Sequence, residues 1–224
     1  MNRGAFRAKV NTAWSIIKTA DLDFLRNWNP VYPEDLLHRL RRIEDYEEEW
    51  RKCCEEQYFD FQLTDYSLIQ LHLRGLDPLW LNYRYYPTPR SACTYPEWLQ
   101  ELGFDLSTAR EYFREEYSQY VLDSDYRHAT PVRYDYDERM YKPGVHPVSH
   151  IHFGYESRVR VATEKILNPV SFVLFIIRQF YPQFWADIVK LEESETWCSQ
   201  IREKLADIPD EFWGDPDEKE HRLR

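Results

Sequence analysis

Apolar residues recur at helical spacing near the start of the chain, at Phe6, Val10, Ala13, Trp14 and Ile17. This spacing predicts a first helix. A loop is expected around Asn27, Asn29 and Pro30. Pro33 suits the first turn of a second helix. Leu36, Leu40, Ile43, Tyr46, Trp50 and Cys53 form its apolar stripe, and the acidic run from Glu44 to Glu49 its solvated surface.

The period then changes to two. Tyr58 to Leu63, Ser67 to Leu73 and Leu79 to Tyr86 read as strands, with turns at Thr64-Asp65 and Gly75 to Pro78. Pro96 opens a short helical turn with Trp98 and Leu99, and Ser107 can cap a longer helix that buries Tyr112, Phe113, Tyr117 and Tyr120. A further sheet region covers Val132 to Asp137 and Ser149 to Val161. Asn168 caps, and Pro169 opens, a helix to Phe180 that is apolar nearly all round and should be the buried core helix. Tyr181-Pro182 breaks it, and a last amphipathic helix carries Phe184, Ile188, Leu191, Ile201 and Leu205. The pattern predicts one α+β domain over residues 1–208. An antiparallel sheet of about five or six strands packs on the buried helix, with N- and C-terminal helices flanking it. Residues 209–224 read as a polar, frayed C-terminal tail in which Phe212 and Trp213 can dock.

Composition narrows the class. Of the 224 residues, 43% are hydrophobic and 17% aromatic, so there is enough apolar surface to exclude general disorder. The net charge of −10 is uneven, because Asp187 to Glu220 alone holds 12 acidic and 4 basic residues. A local basic groove can therefore still meet phosphates. Cys53, Cys54, Cys93 and Cys198 lack metal-ligand spacing and read as buried, reduced thiols. No leader pattern opens the chain, and the apolar stretch Ile166 to Ile177 is shorter than the roughly 20 residues a membrane span needs. A soluble, cytoplasmic protein without membrane contact is expected.

Candidate chemistry concentrates in His146-Pro147-Val148-Ser149-His150-Ile151-His152, which holds three of the 7 histidines. On a strand, His150 and His152 share a face. Patterning suggests a hairpin pairing His152 with Arg158, Ile151 with Val159 and His150 with Arg160. Its weak point is the turn, because Gly154 comes first where a left-handed residue is favoured late. The strand Arg133-Tyr134-Asp135-Tyr136-Asp137 would add Arg133, Asp135 and Asp137 to the histidine face. Tyr134 or Tyr136 could assist only in the opposite register. Such a face suits metal-independent phosphodiester cleavage. His150 and His152 would act as acid and base, and Arg158, Arg160 and Arg133 would bind phosphate, with no cofactor. Alternatively, His146, His150 and His152 with Asp135 or Asp137 could hold a divalent transition metal. Polar alternation also arises when one sheet face simply meets water.

Tyr83, Arg84, Tyr85 and Tyr86 suit either stacking on nucleobases or an apolar interface. His72 would face a helix or water. Motifs for P-loop, dinucleotide-binding, HExxH and GxSxG chemistry are absent from the sequence.

The stretch His146 to Gly154, then Arg158-Val159-Arg160-Val161, then Asn168-Pro169 before a helix ending in Phe180-Tyr181-Pro182, resembles the bacterial domain-of-unknown-function family 2290. The resemblance is specific over about residues 132–185. It implies a bacterial cytoplasmic protein of mixed α and β structure and no established activity. His150, His152 and Gly154 also resemble the clustered His-x-His and glycine of small toxins from toxin–antitoxin pairs, which are thought to act on RNA. Ser149 stands where those often carry another histidine. The expected function is thus a ribonuclease-like component of a toxin–antitoxin or phage-defence module, with RNA as partner. The alternative is a non-catalytic subunit whose acidic C-terminal helix binds a protein partner encoded alongside.

Overall fold

The computed structural model describes residues 2–33, 35–36, 40, 42–156, 159–191, 195–199, 205–219 and 222–223. In chain order the elements are α1 (Arg3–Thr19), β1 (Asp23–Arg26), α2 (Tyr46–Glu55), β2 (Phe61–Leu63), β3 (Leu68–Leu76), β4 (Leu79–Tyr86) and α3 (Tyr95–Glu101). Next come α4 (Leu106–Ala109), α5 (Arg114–Asp123), β5 (Val132–Asp137), β6 (Ser149–Phe153), β7 (Val159–Thr163) and β8 (Lys165–Ile166). The chain closes with α6 (Pro169–Phe180), α7 (Pro182–Ile188), β9 (Ala206–Asp207) and β10 (Arg222–Leu223). The class is α+β, with an antiparallel sheet as expected. No helix among the described residues is long and apolar enough to cross a membrane.

The chain divides into two compact units. The first comprises Met1–Asp21, Leu71–Tyr85 and Pro131–Arg224, and the second Leu22–Gln70 and Tyr86–Thr130.

In the first unit the strand order is β3-β4-β5-β6-β7-β10. β10 runs parallel to β7, and β5 is antiparallel to both β4 and β6. Alternation sends Leu81, Tyr83, Tyr85, Tyr134, Tyr136 and Ile151 to one face, where all are buried. α6 covers that face: the Tyr83 ring lies 5.6 Å from Phe172 and Tyr85 4.7 Å from Phe180. α1 packs beside α6 and brings Phe6 to 6.2 Å from Tyr83. Each such buried aromatic contributes roughly 1.5–3 kcal/mol. α6 starts where the sequence places it. The Asn168 side chain accepts from the Val170 and Ser171 amides, satisfying two otherwise orphaned donors.

Two features of this unit position the site. Ser149 lies on the α6 side, where its hydroxyl meets Tyr134 (2.9 Å), Thr163 (2.7 Å) and the Lys165 carbonyl (3.1 Å). Near the chain end, buried Asp217 accepts from the Tyr141 hydroxyl (2.6 Å) and the amides of Gly144 (3.2 Å) and Gly214 (3.0 Å). The stretch expected as a frayed tail thus carries a docked carboxylate, with Phe212 edge-on to Tyr141.

In the second unit β1 pairs with β2, and β2 with Leu68 and Ile69, while Phe24, Tyr66, Tyr95 and Tyr117 form an aromatic cluster with ring separations of 4.9 to 5.8 Å. Cys53 is buried, and Cys54 and Cys93 are half-buried; none of the three is in a disulfide.

Several expected elements are revised. The helix expected from Pro33 through Cys53 does not run unbroken, because Ile43 and Glu44 are not helical and α2 starts afresh. Asp45 caps it by accepting from the Glu47 amide, and Glu47 to Glu49 favour a helix start there. The helix expected from Ser107 is two helices, and Asp105, not Ser107, caps the first. The break at Glu111 to Phe113 shifts the helical phase, so Tyr112 is 77% exposed rather than buried. The expected C-terminal helix is interrupted after Ile188, with a turn at Val189-Lys190. Residues 192–194, 200–204 and 220 of the acidic segment lie outside the described residues.

Candidate active centre

β5 and β6 pair Arg133 with His152 and Asp135 with His150. β4 places Asn82 opposite Asp135 and Arg84 opposite Arg133, and β7 places Arg160 opposite His152. Directly opposed residues share a face. Asn82, Arg84, Arg133, Asp135, His150, His152 and Arg160 therefore converge on the side away from α6. The simple alternative of histidines facing water is overturned, because His150 is 1% and His152 4% exposed.

Asp135 is the anionic centre. Its Oδ1 accepts from Asn82 Nδ2 (2.5 Å) and its Oδ2 from Arg133 Nε (2.7 Å). Asn82 Oδ1 in turn accepts from Arg84 Nε (3.2 Å). Burial pushes the Asp135 carboxyl up, but Arg133, then His150, Arg84 and the Asn82 bond outweigh it and hold the group below its ordinary value. The same Oδ2 lies 3.6 Å from His152 Nε2 and 3.9 Å from His150 Nε2. One ligand-capable atom from each of these three residues lies within 4.8 Å of the others.

His150 Nδ1 sits 2.9 Å from the Pro147 carbonyl. Burial drives its pKa down to about 3, against the pull of Asp135, and nearby His152, His146 and Arg160 add to the depression. The His146 ring meets His150 edge-on at 4.9 Å, and burial followed by Arg160 lowers its pKa. Pro147 follows a tight turn, Lys142 to His146, in which the His146 amide donates to Lys142 O (2.8 Å). Arg160 is exposed, and its Nη1 lies 3.4 Å from Val145 O. His72 on β3 is buried, with Nδ1 3.1 Å from Arg74 Nη2.

The sequence-predicted site residues fare as follows. His150, His152, Arg133, Asp135 and Arg160 come together. The hairpin register differs: His152 pairs with Arg160, Ile151 with Val161 and His150 with Ala162. The two-residue shift keeps the described side chains on their expected faces but lengthens the connection between Phe153 and Val159. Gly154, at φ +85°, leads that longer loop. Arg158 lies outside the described residues. Asp137 is occupied elsewhere, bound by Arg139 through Nε (2.8 Å) and Nη2 (2.6 Å). Tyr134 and Tyr136 face α6 and take no part. Tyr83, Tyr85 and Tyr86 are buried and unavailable for base stacking, which resolves that strand as an interior one. Asn82 and Arg84 were not foreseen as part of the site. Their alternation along β4 carried the signal, but only the β4–β5 pairing shows which strand they meet.

No curated protein and no solved structure matches the chain. A family model does match, over residues 28–212, and its description is "Uncharacterized conserved protein (DUF2290)". The match reaches well beyond the histidine stretch that first suggested it and covers most of both units. The chain therefore belongs to the DUF2290 family of uncharacterised conserved proteins.

Proposed function

We propose that the Asp135–His150–His152 face is the reaction centre of an enzyme that cleaves the phosphodiester backbone of RNA, as a ribonuclease-like component of a toxin–antitoxin or phage-defence system. One observation carries this reading: a carboxylate and two imidazoles sit beside Arg133 and Arg160 on a single sheet face. Guanidinium groups bind phosphate oxygens through a fixed fork of donors. On this reading Asp135 and His152 activate a nucleophile beside that phosphate.

The division of proton roles changes from the sequence expectation. His150 is neutral at physiological pH and spends its Nδ1–H on Pro147. It therefore does not serve as the general acid. It offers a lone pair at Nε2 instead.

The test is cleavage of labelled RNA by purified protein, compared with His152→Gln and with the His150→Ala/His152→Ala double variant. Removing one proton-transfer group typically costs about 100-fold or more in rate. Loss on that scale, with melting behaviour retained, supports the reading. Cleavage unchanged in both variants, or no cleavage by the parent protein, overturns it.

A further inference from the structure

We infer that Asp135, His150 and His152 form a binding site for one divalent transition-metal ion, through His150 Nε2, His152 Nε2 and Asp135 Oδ2. The inference takes its location from the proposed reaction centre and replaces the metal-independent chemistry expected from sequence: with an ion bound, Asp135 and His152 serve as its ligands rather than as proton-transfer groups.

The first argument is spacing. An ion with ligands at about 2.0–2.2 Å in tetrahedral geometry holds them roughly 3.4 Å apart. The two imidazole nitrogens stand 3.6 and 3.9 Å from the carboxylate oxygen. These separations exceed hydrogen-bond reach yet lie near a coordination edge.

The second argument is the His150 tautomer. A backbone carbonyl can only accept, so the nitrogen 2.9 Å from Pro147 O carries the hydrogen. With that hydrogen on Nδ1, Nε2 is the nitrogen whose lone pair an ion can take. That lone pair faces a carboxylate oxygen, which is also electron-rich, inside a buried site. A cation between the two satisfies both. Orientation of a ligating imidazole by a backbone carbonyl on its other nitrogen is a recurrent arrangement in metal sites.

The donor set indicates the ion class. Two imidazoles with one carboxylate suit zinc, cobalt or iron better than magnesium or calcium, which prefer all-oxygen shells. Three protein ligands leave a position open for water or substrate, as in catalytic sites. Arg133 opposes binding, since its Nε holds the same Oδ2 at 2.7 Å. The guanidinium thus weakens the site while standing where a metal-bound phosphate would need a second positive partner.

The experiment uses untagged full-length protein, stripped with EDTA and dialysed, then titrated with Co²⁺ and followed by visible absorption. Zn²⁺ competition and isothermal titration give the stoichiometry. One Co²⁺ per chain, displaced by Zn²⁺, is expected. Binding should weaken at least about tenfold in His150→Gln and in His152→Gln, and stay unchanged in the control His128→Gln, whose imidazole is exposed. Should the buried variants fail to fold, Arg133→Gln serves instead, with tighter Co²⁺ binding expected. Absence of stoichiometric binding by the folded parent, or binding indifferent to all three site variants, overturns the inference. RNA cleavage is assayed in parallel. Binding without cleavage retains the metal site and removes the ribonuclease reading, whereas histidine-dependent cleavage by stripped protein that binds no metal does the reverse.

Discussion

Asp135 stands directly opposite His150 across the β5–β6 ladder, yet their facing polar atoms remain 3.9 Å apart while Arg133 reaches the same carboxylate oxygen at 2.7 Å. The hydrogen bonds to Asp135 thus come from Arg133 and from Asn82, its partner on β4, rather than from His150, its partner on β6. An amide at this position must turn its NH2 toward one of those donors. Asp135→Asn should cost about 2–3 kcal/mol of stability, measured by urea unfolding. A change below about 0.5 kcal/mol would show that the carboxylate is not the centre of the network.

Arg160 is the exposed cation of the face. Arg160→Gln should leave stability within about 0.5 kcal/mol, because the side chain is exposed and its contact to Val145 O is long. If it meets an RNA phosphate, the slope of log affinity against log salt should fall by about 0.7. An unaltered slope places Arg160 outside the RNA path.

His72 provides a pH signature. Burial, then Arg74 and Arg84, hold its folded pKa well below the ordinary value. The unfolded chain therefore takes up this proton first on acidification, near pH ~6.5. The contribution of neutral His72 is fully present above that pH and is lost as pH falls below it, by up to about 1.4 kcal/mol per pH unit. His72→Gln should flatten the acid limb of a stability-versus-pH curve by that amount. His150, depressed in the same sense, stays in both proteins, so the difference isolates His72.

The core predictions concern α6. Phe172→Ala removes the ring packed on Tyr83 and should cost about 3–5 kcal/mol. Asn168→Ala should cost about 1–2 kcal/mol, since two amides lose their acceptor. Thermal unfolding of both variants distinguishes the two scales, and equal losses would contradict the assignment of α6 as the covering helix.

What could be read in advance follows from what each signal encodes. Asn168-Pro169 fixed the start of α6 because cap chemistry is local. Leu79 to Tyr86 appears as a strand with the expected bounds because alternation there is uninterrupted. Alternation also assigned Arg133, Asp135, His150 and His152 to one face, but it fixes faces only modulo two. The β6–β7 register slipped by two residues because loop length at Gly154 is a property of turn geometry, not of pattern. Burial of the histidines was illegible too. Polar residues on a strand look the same whether they meet water or a closed network, and Asn82 and Arg84 enter it from a distant strand. β1 is four residues without alternation and has no pattern of its own.

Asp217 joins residues 214–217 to the turn that ends at His146, just before Pro147, through Tyr141 and the amide of Gly144. At Gly144, φ is +63°, and a Cβ would come within 2.8 Å of Pro216, so this seam is close-fitting on both sides. Pro147 in turn holds the hydrogen of His150. The Asp217 carboxylate therefore ties residues 214–217 to the segment that leads into the strand carrying His150 and His152.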